Sequence, residues 1–237
     1  MIKLQLSIVL PCRNEVGNIG QIIESIKVNG WNESNSEIIV VNDCSTDGTT
    51  ELLNVLQNEK SNLIVLNPET RLGLGHSIRY GISKAKHNYV AVLDTDGIHD
   101  PCYLAIMSEE LRAGNILVIG SRYVSGGTMV GALYPYLSKV MNKVVKNIIG
   151  SKVNDQLCGF FIAERTKLVE MKQSDFEGFG EYFMRLIAFF ESQGKIKELG
   201  TIHNVRFSGK RKSNRREMTK TYIKTAMSIR RNKIDHK

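Results

Sequence analysis

Five short apolar runs punctuate the first half of the chain: "LSIVLP", "EIIVVND", "NLIVLN", "YVAVLDTD" and "ILVIGSR". Each is rich in β-branched residues and closes on polar or turn residues, which predicts a strand. Between them, stretches near 17–28, 47–59, 74–86 and 101–113 repeat apolar positions at helical spacing. Asp47, in "STDGTTELL", stands where an N-cap or first-turn acid would open the second of these helices. Strands apolar on both faces, alternating with helices, predict an α/β chain with a mostly parallel sheet and helices on both faces. Such sheets bind ligands beyond the carboxyl ends of their strands. The residues to inspect are therefore those that follow each run: Asn14 and Glu15, Asp43, Arg71, Asp94 to Asp96, and Arg122.

The second half is less regular. "LYPYLSKVMNKVVKNIIGSKV" places Leu137, Val140, Met141, Val144, Val145 and Ile148 on one helical face, with Lys139, Lys143 and Lys146 elsewhere. "DQLCGFFIAE" predicts a loop into a strand, "EYFMRLIAFFESQG" a helix ending at Gly194, and "KIKELGTIHNVRF" a last strand. There is no internal repeat and no low-complexity segment.

Composition narrows the class. A chain of 237 residues can bury a proper core as one large domain or two small ones. Cys12, Cys44, Cys102 and Cys158 lie far apart with no C-x-x-C spacing. That argues against a disulfide framework or a zinc site and for free thiols in a reducing cytosol. No charged-then-apolar leader opens the sequence, and no apolar stretch approaches the ~20 residues of a spanning helix. The net charge of +8 is unevenly placed: from Arg206 onward twelve basic side chains face only Glu217 and Asp235, a local +10, so the first 205 residues sum to −2. The basic character belongs to a tail and speaks about a partner of that tail.

Asp94 and Asp96 close the fourth run. Burying such carboxylates costs on the order of several kcal/mol per ion unless a cation meets them. Residues two apart on a strand point the same way, so both can face one ion. Few oxygen ligands suit Mg²⁺ or Mn²⁺, which keep waters and take substrate phosphates. The alternative is a pair of solvated turn acids, with Asp96–Gly97 making the turn. His99 suits a structural role better than ligation of a hard cation. G-x-G-x-x-G would need glycine at Ile78, and a Walker A motif is absent.

With the aspartate pair between them, "VLPCRNE", "VVNDCSTDGTT", "RLGLGHSIRYGIS" and "GSRYVSGG" follow one another in order. This series resembles the family 2 glycosyltransferases of the Rossmann-like GT-A fold. "DTDGIHDP", "GSRYVSGG" and "NDQLCGFF" look most like the branch of polyprenyl-phosphate (dolichyl-phosphate) mannosyl- and glucosyltransferases. The resemblance implies a GT-A domain over 1–205, with a nucleotide-sugar-binding half (1–125) and an acceptor half (126–205), before a basic amphipathic tail at 206–237. It implies that Pro11, Arg13, Asn14 and Glu15 line the nucleoside pocket and that Asp43 accepts a hydrogen bond from base or ribose. Helix capping is the other use of Glu15 and Asp43. Arg71 and the Gly73-x-Gly75 turn would let backbone approach the nucleotide. Asp94 and Asp96 would hold Mg²⁺ or Mn²⁺ on the diphosphate, neutralising the leaving group. Where the branch often carries a glutamine metal contact, this chain has Ile98.

Asp155, Gln156, Gly159 and Phe160 fall where the family places its acceptor-side loop. A sugar hydroxyl needs a general base, for which Asp155 is the obvious carboxylate. A lipid monophosphate, with a second pKa of about 6, needs cations instead, and Arg122, Arg206 and Lys210 suit that cradle. The alternative for each is a solvated base. The family's closing R-x-x-G-x-S-K stretch is matched by "RFSGKRKSN" only through Arg206, Gly209 and Ser213, at altered spacing.

In the tail, Met218, Tyr222, Ile223, Ala226, Met227 and Ile229 form a stripe flanked by Lys220, Lys224, Arg230 and Arg231. A basic amphipathic helix can lie on an anionic bilayer, with the 133–150 helix beside it, or both stripes can pack on the domain. Nucleic acid is disfavoured, since no aromatic interleaving or recognition module is present. The expectation is thus a cytoplasmic, peripherally membrane-associated enzyme. It would move a hexose, with inversion, from a GDP-mannose or UDP-glucose type donor to a polyprenyl phosphate. The alternative is non-processive transfer to a sugar hydroxyl in cell-wall, glycolipid or polysaccharide synthesis, with Asp155 as base. Processive synthesis is disfavoured because Q-x-x-R-W is absent, Trp31 being the sole tryptophan.

Overall fold

The computed structural model describes residues 4–130, 133–208 and 215–235. The five apolar runs become β1 (Leu6–Cys12), β2 (Ser36–Asn42), β3 (Leu63–Leu66), β4 (Tyr89–Val92) and β5 (Leu117–Ser121). The stretches between them become α1 (Ile19–Val28), α2 (Thr49–Glu59), α3 (Leu74–Lys84) and α4 (Tyr103–Arg112). Asp47 stands one residue before the N-cap of the second helix, which is Gly48, so it is neither the N-cap nor the first-turn acid expected; it accepts instead from both the backbone N–H and the hydroxyl of Thr49 at the start of the helix. After β5 come β6 (Thr128–Met129), α5 (Leu133–Ile149), β7 (Phe161–Glu164), α6 (Arg165–Glu170) and a short 3-10 turn over Gln173–Phe176. The chain ends with α7 (Glu181–Gln193), β8 (Ile196–Gly200), β9 (Ile202–His203) and α8 (Arg215–Asp235).

Seven strands form one sheet in the order β3-β2-β1-β4-β7-β5-β8. All neighbours run parallel except β7, which is antiparallel to both β4 and β5. Every residue of β1 and β2 is buried, as a sheet covered on both faces requires. A mostly parallel α/β sheet therefore stands as the sequence predicts, and the reversed β7 is the addition. Its Phe161, Ile162 and Ala163 are fully buried at the sheet centre, a setting that apolar content signals without fixing a direction.

The predicted last strand breaks in two. Gly200 has no room for a side chain, because a Cβ would meet the Ser125 carbonyl. Thr201 donates its N–H to Ser121, and the chain leaves the large sheet to pair β9 with β6. That switch carries residues 202–208 across the carboxyl ends of the strands: His203 bridges to His99, and Asn204 donates to Ile98.

A second, smaller core lies outside the sheet. Val145 and Ile149 of α5, Met184 of α7, and Tyr222, Ala226 and Ile229 of α8 pack together. Tyr222, Ala226 and Ile229 of the tail stripe thus form an interior seam, and for them the packing use of the two predicted holds, while Met227 of the same stripe is exposed. The stripe of α5 divides instead: Val145 is buried, while Leu137, Val140 and Val144 remain exposed together with Tyr136.

Candidate active site

The strand ends open into one cavity of about 1160 Å³. Its polar end is built by Pro11, Arg13 and Glu15 after β1, Asp43 after β2, the Arg71–Gly75 turn, and Asp94 with Asp96 after β4. Its other wall is apolar: Met129 and Val130, then Leu137, Val140, Met141 and Val144 of α5, Phe179, and Met218 and Tyr222 of α8.

Asp94 and Asp96 face the same space with different surroundings. The Asp94 side chain is 41% exposed, and its backbone N–H donates to His99 Nδ1 at 3.0 Å. Asp96 is buried, accepts the Ile98 N–H on Oδ1 at 3.1 Å, and meets Arg206 Nη1 with Oδ2 at 2.9 Å. Burial and the neighbouring Asp94 push the Asp96 carboxyl up to about 7 even though Arg206 pulls it down. A buried carboxylate beside a half-exposed one, which one guanidinium does not neutralise together, is a fit for a divalent cation, and oxygen donors suit Mg²⁺ or Mn²⁺.

Arg122 and Asp155 come together, but not in the roles expected. Arg122 donates Nε to Asp155 Oδ2 (2.7 Å), Nη2 to Oδ1 (2.6 Å) and its backbone N–H to Oδ2 (3.0 Å). Asp155 is fully buried and does not line the cavity. Burial would push its carboxyl up, but the charge and hydrogen bonds of Arg122 hold it below the usual range. A carboxylate so stabilised as an anion is a poor proton acceptor, so the assignment of Asp155 as a general base is corrected to that of a clamp. Arg122 itself lines the cavity, stacks on the Tyr123 ring at 5.0 Å and reaches Ser138 of α5. Gln156 is likewise corrected: its side-chain amide donates to Ser151 and Val153 inside the protein.

Behind the clamp stands Glu198 of β8, which sequence reasoning passed over. Its Oε1 accepts from Ser121 Oγ (2.8 Å) and the Asp155 N–H (3.0 Å), and its Oε2 from the Asn154 N–H (2.8 Å) and side-chain amide (2.9 Å). In "KIKELG" it reads as one more polar residue on an edge strand, and only the folded loop shows what converges on it.

The remaining expected residues divide. Pro11, Arg13, Glu15 and Arg71 line the cavity. Asp43 lines it too, while its oxygens accept the N–H groups of Leu72 (2.6 Å) and Gly73 (3.0 Å), fixing the turn after β3. Asn14 clasps the neighbouring loop, taking the Thr46 N–H on its side chain and donating its own N–H to Ser45, and does not line the cavity. Glu15 starts α1 through its carbonyl, which accepts from Asn18 and Ile19, so the capping use predicted for its side chain falls to its backbone. Gly73 adopts φ +83° with open space before it, as close approach of a ligand requires. Gly75 does not share that reason, because a Cβ there would strike the Phe176 carbonyl. Arg206 stands at the acid pair; Lys210 lies outside the described residues.

His99, Cys158 and His203 form a buried cluster with ligand-type atoms within 4.8 Å of one another. The groups are already engaged. His99 Nδ1 accepts the Asp94 N–H, and the Cys158 thiol donates to the Gly120 carbonyl at 2.7 Å. Burial, reinforced by Arg122, lowers His99 to about 3 and keeps it neutral. His99 is therefore the structural residue expected, holding the backbone of Asp94.

Comparison with known proteins gives a consistent set of likenesses. A model described as glycosyl transferase family 2 matches residues 7–171. A dolichol-phosphate mannosyltransferase of Pyrococcus furiosus is 31% identical over 173 residues, 70% of this chain and 48% of that protein. An undecaprenyl-phosphate mannosyltransferase of Micrococcus luteus is 26% identical over 194 residues, 73% of this chain and 72% of that protein. The chain thus spans about half the length of the Pyrococcus relative. Among solved structures, glucosyl-3-phosphoglycerate synthase of Mycobacterium tuberculosis, in complex with Mn²⁺, UDP and glucosyl-3-phosphoglycerate, superimposes with a TM-score of 0.69 at 22% identity. That match covers 95% of this chain and 80% of the other, and it establishes the GT-A fold.

Proposed function

Because the chain belongs to glycosyl transferase family 2, we propose that it moves a hexose from a nucleotide diphosphate sugar to a polyprenyl phosphate, with inversion at the anomeric carbon. The observation that carries this reading is the make-up of the cavity. An acid pair lies at one end, the Arg122 guanidinium is held rigidly on the wall, and an apolar helical surface lines the rest.

The donor, of the GDP-mannose or UDP-glucose type, takes the polar end, with its nucleoside between the Arg13–Glu15 segment and the turn fixed by Asp43. Asp94 and Asp96 would hold Mg²⁺ or Mn²⁺, which when bound neutralises charge on the diphosphate. The solved relative with Mn²⁺ and UDP supports that choice of cation. Arg122 orients the acceptor phosphate, and its Asp155 clamp keeps the guanidinium fixed at no cost of reorganisation. One phosphate oxygen forms the new bond to the anomeric carbon as the bond to the diphosphate breaks, and the nucleoside diphosphate leaves. The phosphate is already ionised at neutral pH, so no proton need be removed. A sugar hydroxyl would need a base, and Asp155 is occupied elsewhere.

The polyprenyl chain follows the apolar wall to the surface of α5, where Tyr136, Leu137, Val140 and Val144 are exposed. Lys139 and Lys143 of α5 and Lys220, Lys224, Arg230 and Arg231 of α8 are exposed as well. This combination fits peripheral attachment to the cytoplasmic face of an anionic membrane. No helix among the described residues is long and apolar enough to cross a membrane.

A thermal-shift panel of GDP, UDP, GDP-mannose and UDP-glucose, each with and without MnCl₂, tests the donor half. A matching nucleotide at a hundred times its Kd raises stability by about 2.7 kcal/mol. A panel in which no nucleotide shifts the melting temperature, with or without metal, contradicts the assignment.

A further inference from the structure

Residues 204–208 form a strap across the acid end of the cavity. Asn204 donates its N–H to Ile98 at 3.0 Å, and Phe207 donates its N–H to the Asp96 carbonyl at 2.9 Å. The Phe207 ring covers Gly97, whose φ of +81° and the ring's proximity leave no space for a side chain. Ser208 donates its hydroxyl to Asn18 at 2.7 Å. The backbone is thus pinned on both sides of Arg206, while the Arg206 side chain stays 30% exposed.

The contact that matters is at Asp96. Oδ1 already takes the Ile98 amide, and Oδ2 takes the Arg206 guanidinium at 2.9 Å. A divalent ion shared by Asp94 and Asp96 needs an oxygen of Asp96, and Oδ2 is the one held by a partly exposed side chain rather than by backbone. Two cations on one carboxylate oxygen repel each other, all the more where water is scarce. We propose that Arg206 and the divalent cation exclude one another at Asp96 Oδ2. Arg206 is then the countercharge of the site before the donor arrives, and an anion ligand at the cavity once it is displaced. The pinned backbone confines the released guanidinium to that neighbourhood, where the acceptor phosphate is expected. Donor and acceptor sites become linked, with the donor's cation making Arg206 available to the acceptor. This rests on the metal assignment made above for Asp94 and Asp96.

Titration of the full chain with Mn²⁺ alone at pH 8, reading free Mn²⁺ by electron paramagnetic resonance, tests the idea. Arg206→Met and Arg206→Gln remove the competitor, Arg71→Met removes a different positive charge from the same cavity, and Asp96→Asn removes the ligand. A charge-assisted contact in a partly exposed setting predicts Mn²⁺ binding about fivefold tighter in both Arg206 variants and within about twofold of wild type in Arg71→Met. Arg206 variants that bind no more tightly than Arg71→Met overturn the exchange while leaving the metal site in place. Mn²⁺ binding that is absent from the wild type, or unchanged in Asp96→Asn, overturns the metal assignment and the exchange with it.

Discussion

Arg122 and Asp155 form a two-pronged ion pair in which the carboxylate is sealed inside the protein and only the guanidinium reaches the cavity. Asp155→Asn keeps the shape but leaves a buried guanidinium without its charge partner, a loss of about 3–5 kcal/mol. Thermal melting should show a large fall, and steady-state kinetics a rise in acceptor KM. A base at Asp155 would instead give an unchanged melting temperature with kcat abolished.

Glu198 offers two oxygens to four donors, and Glu198→Gln turns one of those oxygens into a donor facing donors. Each buried group left unsatisfied costs about 1–3 kcal/mol. Urea denaturation should show that loss for Glu198→Gln, while exposed Glu170→Gln on α6 should stay within about 0.5 kcal/mol of wild type.

The Asp96 carboxyl, pushed up to about 7 by burial and by Asp94, sets a pH dependence for the cation. Below pH 7 an incoming cation must displace a proton, so Mn²⁺ affinity should fall toward about tenfold per pH unit. Calorimetry at pH 6 and pH 8 checks this, and equal affinities would contradict it. For folding without metal the sign is opposite. A carboxyl raised above its unfolded value stabilises the fold at low pH, and that contribution is lost as pH rises through about 7.

The strands, the helices of the first half and the acid pair were legible in the sequence because each is a local pattern: a β-branched run, a 3.6-residue period, two acids at the end of a strand. What was not legible depends on partners distant in the chain. Nothing in "FFIAE" says that β7 runs against its neighbours, nor does "NDQLCG" announce that Asp155 meets Arg122, 33 residues away. The tail shows the same limit: its period marks Tyr222, Ala226 and Ile229 as one face, but whether lipid or α5 and α7 cover that face is a tertiary matter.

That difference between the two stripes can be measured. Leu137, Val140 and Val144 are exposed, so changing all three to serine should leave the melting temperature nearly unchanged while reducing sedimentation with anionic liposomes. Ala226→Glu places an unpaired charge in the small core and should unfold or strongly destabilise the α8 region. Full liposome binding by the triple serine variant would show that α5 is not the attachment surface.

Transfer of radiolabelled hexose from GDP-mannose or UDP-glucose into the organic phase, with undecaprenyl phosphate and Mn²⁺, addresses the central claim directly. Label should enter the lipid phase only with a divalent cation present, and should fall by about a hundredfold or more in Asp96→Asn, as the loss of a charge-stabilising ligand predicts. Undiminished transfer in EDTA, or in Asp96→Asn, would contradict a cation held by Asp94 and Asp96 as the centre of this site.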